Sequence, residues 1–100
     1  MVYDPGALHA SLAAAVGSDS LLMAELRDAF IESAARQVDL MSRSRCDANW
    51  QYAASRLKGV AASFGAVGLM DLAEEALTGA PGDPVILRKL RAAIDDFAPL

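Results

Sequence analysis

Ala53-Ala54-Ser55-Arg56-Leu57-Lys58-Gly59-Val60-Ala61-Ala62-Ser63-Phe64-Gly65 is the stretch whose reading decides the fold. At about 100° per residue, Trp50, Ala53, Ala54, Leu57, Val60, Ala61 and Phe64 fall within about 60° of Leu57. They form a core stripe at helical spacing. The opposite side carries Ala48, Gln51, Tyr52, Ser55, Gly59 and Ala62, with Arg56 and Lys58 as positive flanks. An exposed helix face normally carries long charged side chains, and this one is small and uncharged along its centre. Gly59 lies in the helix interior, where glycine is about 1 kcal/mol less favourable than alanine. Glycine at such a place lets another body approach the backbone closely. Gly59 points away from the core stripe, so the approaching body is not the protein's own core. The face formed by Gln51, Tyr52, Ser55, Arg56, Lys58, Gly59 and Ala62 is therefore a candidate partner-binding surface.

Working outward, Asp47 is placed to cap this helix over Ala48 to Phe64. Gly65 is placed to end it in a left-handed turn. Before it, Ser18 or Asp19 caps a long helix running to about Arg43. Leu22, Leu26, Ala29, Phe30, Ser33, Ala34, Gln37, Leu40 and Met41 trace the inner stripe of that helix. Ser33 and Gln37 interrupt the stripe with polar groups, and Arg36, Arg43 and Arg45 make this end basic. After Gly65, Leu69, Leu72, Ala73, Ala76 and Leu77 recur at helical spacing from Ala66 to Leu77, with Asp71, Glu74 and Glu75 outside and Gly68 near the start. Gly79-Ala80-Pro81-Gly82 breaks the chain. Asp83-Pro84 then opens a last helix that buries Ile86, Leu87, Leu90, Ile94 and Phe97 and ends before Pro99. Asp4-Pro5 gives the same cap-and-proline signal for a short first helix, with Leu8, Leu12 and Ala15 on one face and Gly17 as its stop. The sum is an all-α chain. Short connections between the longer helices favour antiparallel neighbours, which predicts an up-down-up-down four-helix bundle with a short extra N-terminal helix.

The chain has 100 residues, enough for a single domain over 1–100 with one core. Apolar residues make up 54% and aromatic residues only 6%, which is helix-bundle rather than sheet composition. A net charge of −4 argues against a general nucleic-acid-binding role, because that needs a basic face. The one cysteine, Cys46, excludes an intrachain disulfide and fits a reducing cytoplasm. No apolar run approaches the roughly 20 residues of a membrane span, and the N-terminus lacks the basic-then-apolar order of a secretory signal. Paired carboxylates on a common face, a metal-ligand cluster and a glycine-rich phosphate loop are all lacking, so neither an enzyme nor a metal or cofactor site is expected.

Ser55-Arg56-Leu57-Lys58-Gly59, followed by Ser63 and Gly65, resembles the signature of histidine-containing phosphotransfer (HPt) domains. That signature runs His-x-Leu-Lys-Gly, then small residues, then a second glycine just past the helix. The helical layout on both sides agrees, so the resemblance covers nearly the whole chain. It implies a four-helix bundle that takes a phosphoryl group from an aspartyl phosphate onto an exposed imidazole and passes it to another receiver domain. In that family the lysine neutralises phosphate charge and the glycine clears space for the receiver, roles that fall here on Lys58 and Gly59. The resemblance also implies that a polar side chain of the preceding helix, Ser33 or Gln37, reaches toward the phosphoacceptor position. One departure stands at that position, where Ser55 replaces the histidine. A serine hydroxyl is a weak nucleophile without an adjacent base, and its helix offers no His, Asp or Glu beside it. A phosphoserine ester would also hold the phosphoryl group rather than relay it. His9, the only histidine, has no Lys-Gly after it and lies far from the motif, so it reads as a solvated or packing residue.

The resemblance thus implies a degenerate HPt protein of bacterial-type two-component signalling. Its expected partner is a response-regulator receiver domain or a histidine kinase, bound without phosphotransfer. Two other readings stand beside it. In one, Ser55 replaces a natural histidine by substitution and the protein is an ordinary phosphorelay intermediate. In the other, the chain is a helical dimerisation module and the flat face is a self-association seam. The docking reading expects a monomer.

Overall fold

A computed structural model describes residues 19–97 together with Ala10, Leu12 and Ala14. Within residues 19–97 four helices follow one another: α1 (Ser20–Arg43), α2 (Asp47–Ser63), α3 (Val67–Thr78) and α4 (Pro84–Asp95). No strand occurs among the described residues. None of these helices is long and apolar enough to cross a membrane. The short first helix expected over Asp4 to Gly17 lies outside the described residues, except that Ala10, Leu12 and Ala14 are helical and Leu12 is buried.

Local chemistry sets most of the ends. Asp19 caps α1 by accepting from the Leu22 amide at 3.0 Å, and Asp83 caps α4 by accepting from the Val85 amide at 2.9 Å, with Pro84 in the first turn. Each satisfies one of the amides that a helix start leaves free. Gly65 has φ 70°, and Ala66 N–H donates to the Ala61 carbonyl at 2.9 Å. That is the left-handed exit expected after α2, open to glycine at little strain. One expectation is corrected here. Asp47 is the first residue of α2, not its cap; the cap position is Cys46, which makes no side-chain capping bond. Asp47 instead places its carboxylate on the positive end of the helix dipole.

Each helix packs on two others: α1 on α2 and α4, and α3 on α2 and α4. One contiguous core fills the space between them, with Phe30, Met41, Trp50, Leu57, Leu69, Leu72 and Leu90 almost fully enclosed. Phe30 stands against Phe64 at 5.0 Å between ring centroids and edge-on to Phe97 at 5.4 Å, which joins α1 to the ends of α2 and α4. The Trp50 indole N–H donates to the Ala76 carbonyl at 3.0 Å, so the largest core side chain also has its one polar group satisfied.

The inner stripe of α1 departs from expectation. Phe30, Ala34, Gln37 and Met41 are buried, but Leu22 is 40% exposed, Leu40 is 43% exposed and Ala29 is exposed, while Val38 is buried. The reason is geometric. With 24 residues, α1 is about 36 Å long, twice the roughly 18 Å of α3 or α4. Nothing from Ser20 to Ala29 is fully buried, because that half of α1 overhangs the shorter helices. Contact with both α2 and α4 also widens the buried arc toward Val38 and leaves Leu40 at its rim.

Candidate functional site

Helix α2 places the expected binding residues as its sequence dictates. Trp50, Ala53, Ala54, Leu57 and Ala61 are buried, and Val60 and Phe64 are half-buried. Burying that stripe turns Gln51, Tyr52, Ser55, Arg56, Gly59 and Ala62 outward, and all six are exposed. They share one side of one helix. A Cβ built on Gly59 would meet no atom within 4 Å, so the protein itself leaves the space above Gly59 empty. Lys58, the seventh expected residue, is half-buried at the edge of this face.

The two flanks are held differently. On one side, Lys58 Nζ donates to Glu74 Oε2 of α3 at 2.6 Å, with both side chains roughly half exposed. The cation is therefore shared with a carboxylate of the neighbouring helix. On the other side, the Arg56 guanidinium donates to the Tyr52 hydroxyl at 3.1 Å and lies 5.7 Å from the centre of the Tyr52 ring. Hydrogen bond and cation–π contact together hold the ring along the helix surface. Ser63 Oγ donates to the Gly59 carbonyl at 2.9 Å. Ser55 sits between these flanks as an exposed hydroxyl, and no His, Asp or Glu lies within a helical turn of it in sequence.

Gln37 is the other feature of the region. It is only 5% exposed and is the one polar or charged residue buried among the described residues, and its Oε1 has no hydrogen-bond partner. Phe30 meets Phe64, and Leu40 and Arg43 share a cleft with Asn49, Tyr52 and Ala53. So α2 runs back along α1, and this register sets Gln37 level with the turn from Ala53 to Leu57, which contains Ser55. Ser33, the other polar interruption of α1, is half-buried. No group of three or more His, Cys, Asp or Glu able to hold a metal occurs among the described residues.

No family model matches the chain, nor does any curated protein or solved structure. The site therefore stands on its own residues. Sequence reading missed two parts of it. Glu74 is sixteen residues from Lys58, and its pairing follows only from how α3 packs on α2. The Tyr52–Arg56 contact was detectable in principle, because residues four apart meet on a helix surface.

Proposed function

We propose that this chain is an HPt-like module of a two-component phosphorelay that lacks the relay histidine. It binds a receiver domain, or the histidine kinase that feeds one, through the exposed face of α2, and regulates that partner without taking up phosphate. The finer architecture belongs to the same reading: a single-domain, up-down-up-down four-helix bundle with a short additional N-terminal helix, working in the cytoplasm as a monomer. The run of α2 back along α1, the Trp50–Ala76 tie from α2 to α3 and the Phe30–Phe97 contact support that arrangement.

The observation that carries the functional reading is the empty space above Gly59 on a face that also bears Ser55 and is edged by Lys58 and Arg56. An exposed interior glycine lowers helix stability and fills no internal gap here, which is what a surface shaped for an external body requires. The buried, unpartnered Gln37 Oε1 level with Ser55 adds support. Its side chain is enclosed, and its carbonyl has no hydrogen-bond partner in the fold.

A phosphotransfer assay tests the reading. Receiver domains from the same organism, labelled on their aspartate, are mixed with the protein and with Ser55→His. In the variant an imidazole nitrogen attacks phosphorus, the acyl phosphate P–O bond breaks, and the aspartate leaves as carboxylate. The expected result is label on Ser55→His and none on the serine form. Label on the serine form would overturn the claim that the protein does not transfer. Absence of both label and binding would overturn the receiver-binding reading and leave a histidine kinase or a second copy of the chain as the partner to test.

A further inference from the structure

Six large apolar side chains are exposed among the described residues, and two of them, Leu40 and Tyr52, line the same cleft. The cleft lies where the end of α1 meets the start of α2. Its other walls are Arg43, Ser44, Asn49 and Ala53, and its volume is about 410 Å³, within the roughly 300–1,000 Å³ of ligand-sized sites. Tyr52 is 63% exposed and belongs both to the cleft and to the outer face of α2, so the two surfaces are continuous. Leu40 and Tyr52 come from different helices. Their shared exposure is therefore a feature of the packed surface, not of one helix's pattern.

Charge identifies the kind of occupant. Residues 36–64 carry five cations (Arg36, Arg43, Arg45, Arg56, Lys58) against two carboxylates (Asp39, Asp47), a net charge of +3, so the other 71 residues carry −7 of the total of −4; Arg36 pairs with Glu32, Arg43 with Asp39 and Lys58 with Glu74, which leaves Arg45 and Arg56 without a carboxylate partner among the described residues. Around the cleft, Arg43 pairs with Asp39 one turn back on α1 at 2.8 Å, both side chains being more than half exposed. Such an exposed pair is weak and yields readily to a better partner. Arg43 lines the cleft, and Arg56 holds the Tyr52 ring in place at its rim. An apolar floor with Arg43 in its wall and Arg56 at its rim fits an apolar side chain flanked by carboxylates.

We propose that this cleft takes an apolar side chain, bordered by acidic residues, from the receiver domain that docks on α2, and that it determines which receiver is bound. The proposal rests on the phosphorelay reading above. The face around Gly59 provides the common platform, and the Leu40–Tyr52 cleft provides the discrimination, because a partner without the apolar anchor leaves the trough filled with water.

The test measures binding of the full chain and four variants to unphosphorylated receiver domains from the same organism, by titration calorimetry. Leu40→Asp and Tyr52→Ala are expected to weaken the tightest receiver by about tenfold or more, the usual effect of truncating a buried anchor. Tyr52→Phe keeps the ring and should stay within about twofold. Gly59→Arg should abolish binding of every receiver. If Gly59→Arg blocks binding while Leu40→Asp and Tyr52→Ala leave it unchanged, the cleft proposal is overturned and the docking face survives. If neither a receiver nor a histidine kinase binds the unaltered protein, both are overturned. A binder found only among histidine kinases would overturn the assignment of the occupant. Both substituted side chains are substantially exposed, and a helical circular-dichroism spectrum checks that each variant is folded.

Discussion

A methyl group added at Gly59 would enter open space, and the residue lies inside α2, where alanine is favoured over glycine by about 1 kcal/mol. Gly59→Ala should therefore raise stability by up to about 1 kcal/mol, seen as a higher urea midpoint with an unchanged slope. If glycine is present for docking, the same substitution weakens partner binding while it strengthens the fold, a trade-off common at functional sites. A lower midpoint would show that something in the protein already occupies that space. Gln37 makes a parallel case inside the core. Its unpartnered Oε1 loses its hydration on burial without compensation, a penalty of about 1–3 kcal/mol. Gln37→Met keeps a similar volume and removes the orphaned acceptor, so a gain of about 1 kcal/mol is expected. In the Ser55→His background the same change should slow phosphoryl uptake if the Gln37 carbonyl accepts from the imidazole. An unchanged rate would leave Gln37 with no part in relay chemistry. At the edge of the face, Glu74→Gln would free Lys58 from its 2.6 Å partner. Between exposed groups such a pair contributes about 0.2–1 kcal/mol. Stability should fall by no more than that, and affinity for an acidic partner should rise up to about fivefold. Unchanged or weaker affinity would mean that Lys58 does not reach the partner.

At the scale of the helix, α2 is where sequence and structure agree most closely. Its apolar residues recur on one side at helical spacing, it is enclosed by α1 and α3, and every buried residue of α2 belongs to the stripe its pattern defines. Trp50 anchors it, and Trp50→Phe, which deletes the indole N–H that reaches Ala76, should lower stability by about 1–2 kcal/mol. No loss would mean the bond is replaced by water. Helix α1 was less legible. Periodicity shows which residues share a face, but not how far the neighbouring helices extend. Leu22 is half out in solvent because α3 and α4 span only 12 residues each. Leu40 and Val38 exchange roles because α1 faces two neighbours rather than one. The sequence does not separate the two places open to Asp47, because Asp is favoured both as a cap and, by its charge, in the first turn. The exposed residues of the candidate face could be read from the sequence, since they are the complement of a clear core stripe. Glu74 beside Lys58 and Leu40 beside Tyr52 could not, since each pair joins residues of different helices and depends on the packed register.

For the whole molecule, the separation of charge leads to a prediction about association. The segment carrying α2 and the end of α1 is positive, and the rest of the chain is strongly negative. A self-association seam on the α2 face would set two such positive segments against each other, and like charges at short range oppose that contact. An acidic partner meets the same face with attraction, and complementary fields of this kind speed encounter. Two results should therefore appear together. Sedimentation at two protein concentrations tenfold apart should give the monomer mass at both. Receiver binding should weaken steadily as salt rises from about 0.1 M to 1 M, over which the screening length falls from about 10 Å to about 3 Å. A dimer that tightens with added salt would indicate that the small-residue face packs on itself once its charge is screened, and α2 would then be a dimerisation helix. Receiver binding indifferent to salt would locate the interface away from the basic segment, because an apolar contact alone does not weaken as ions are added.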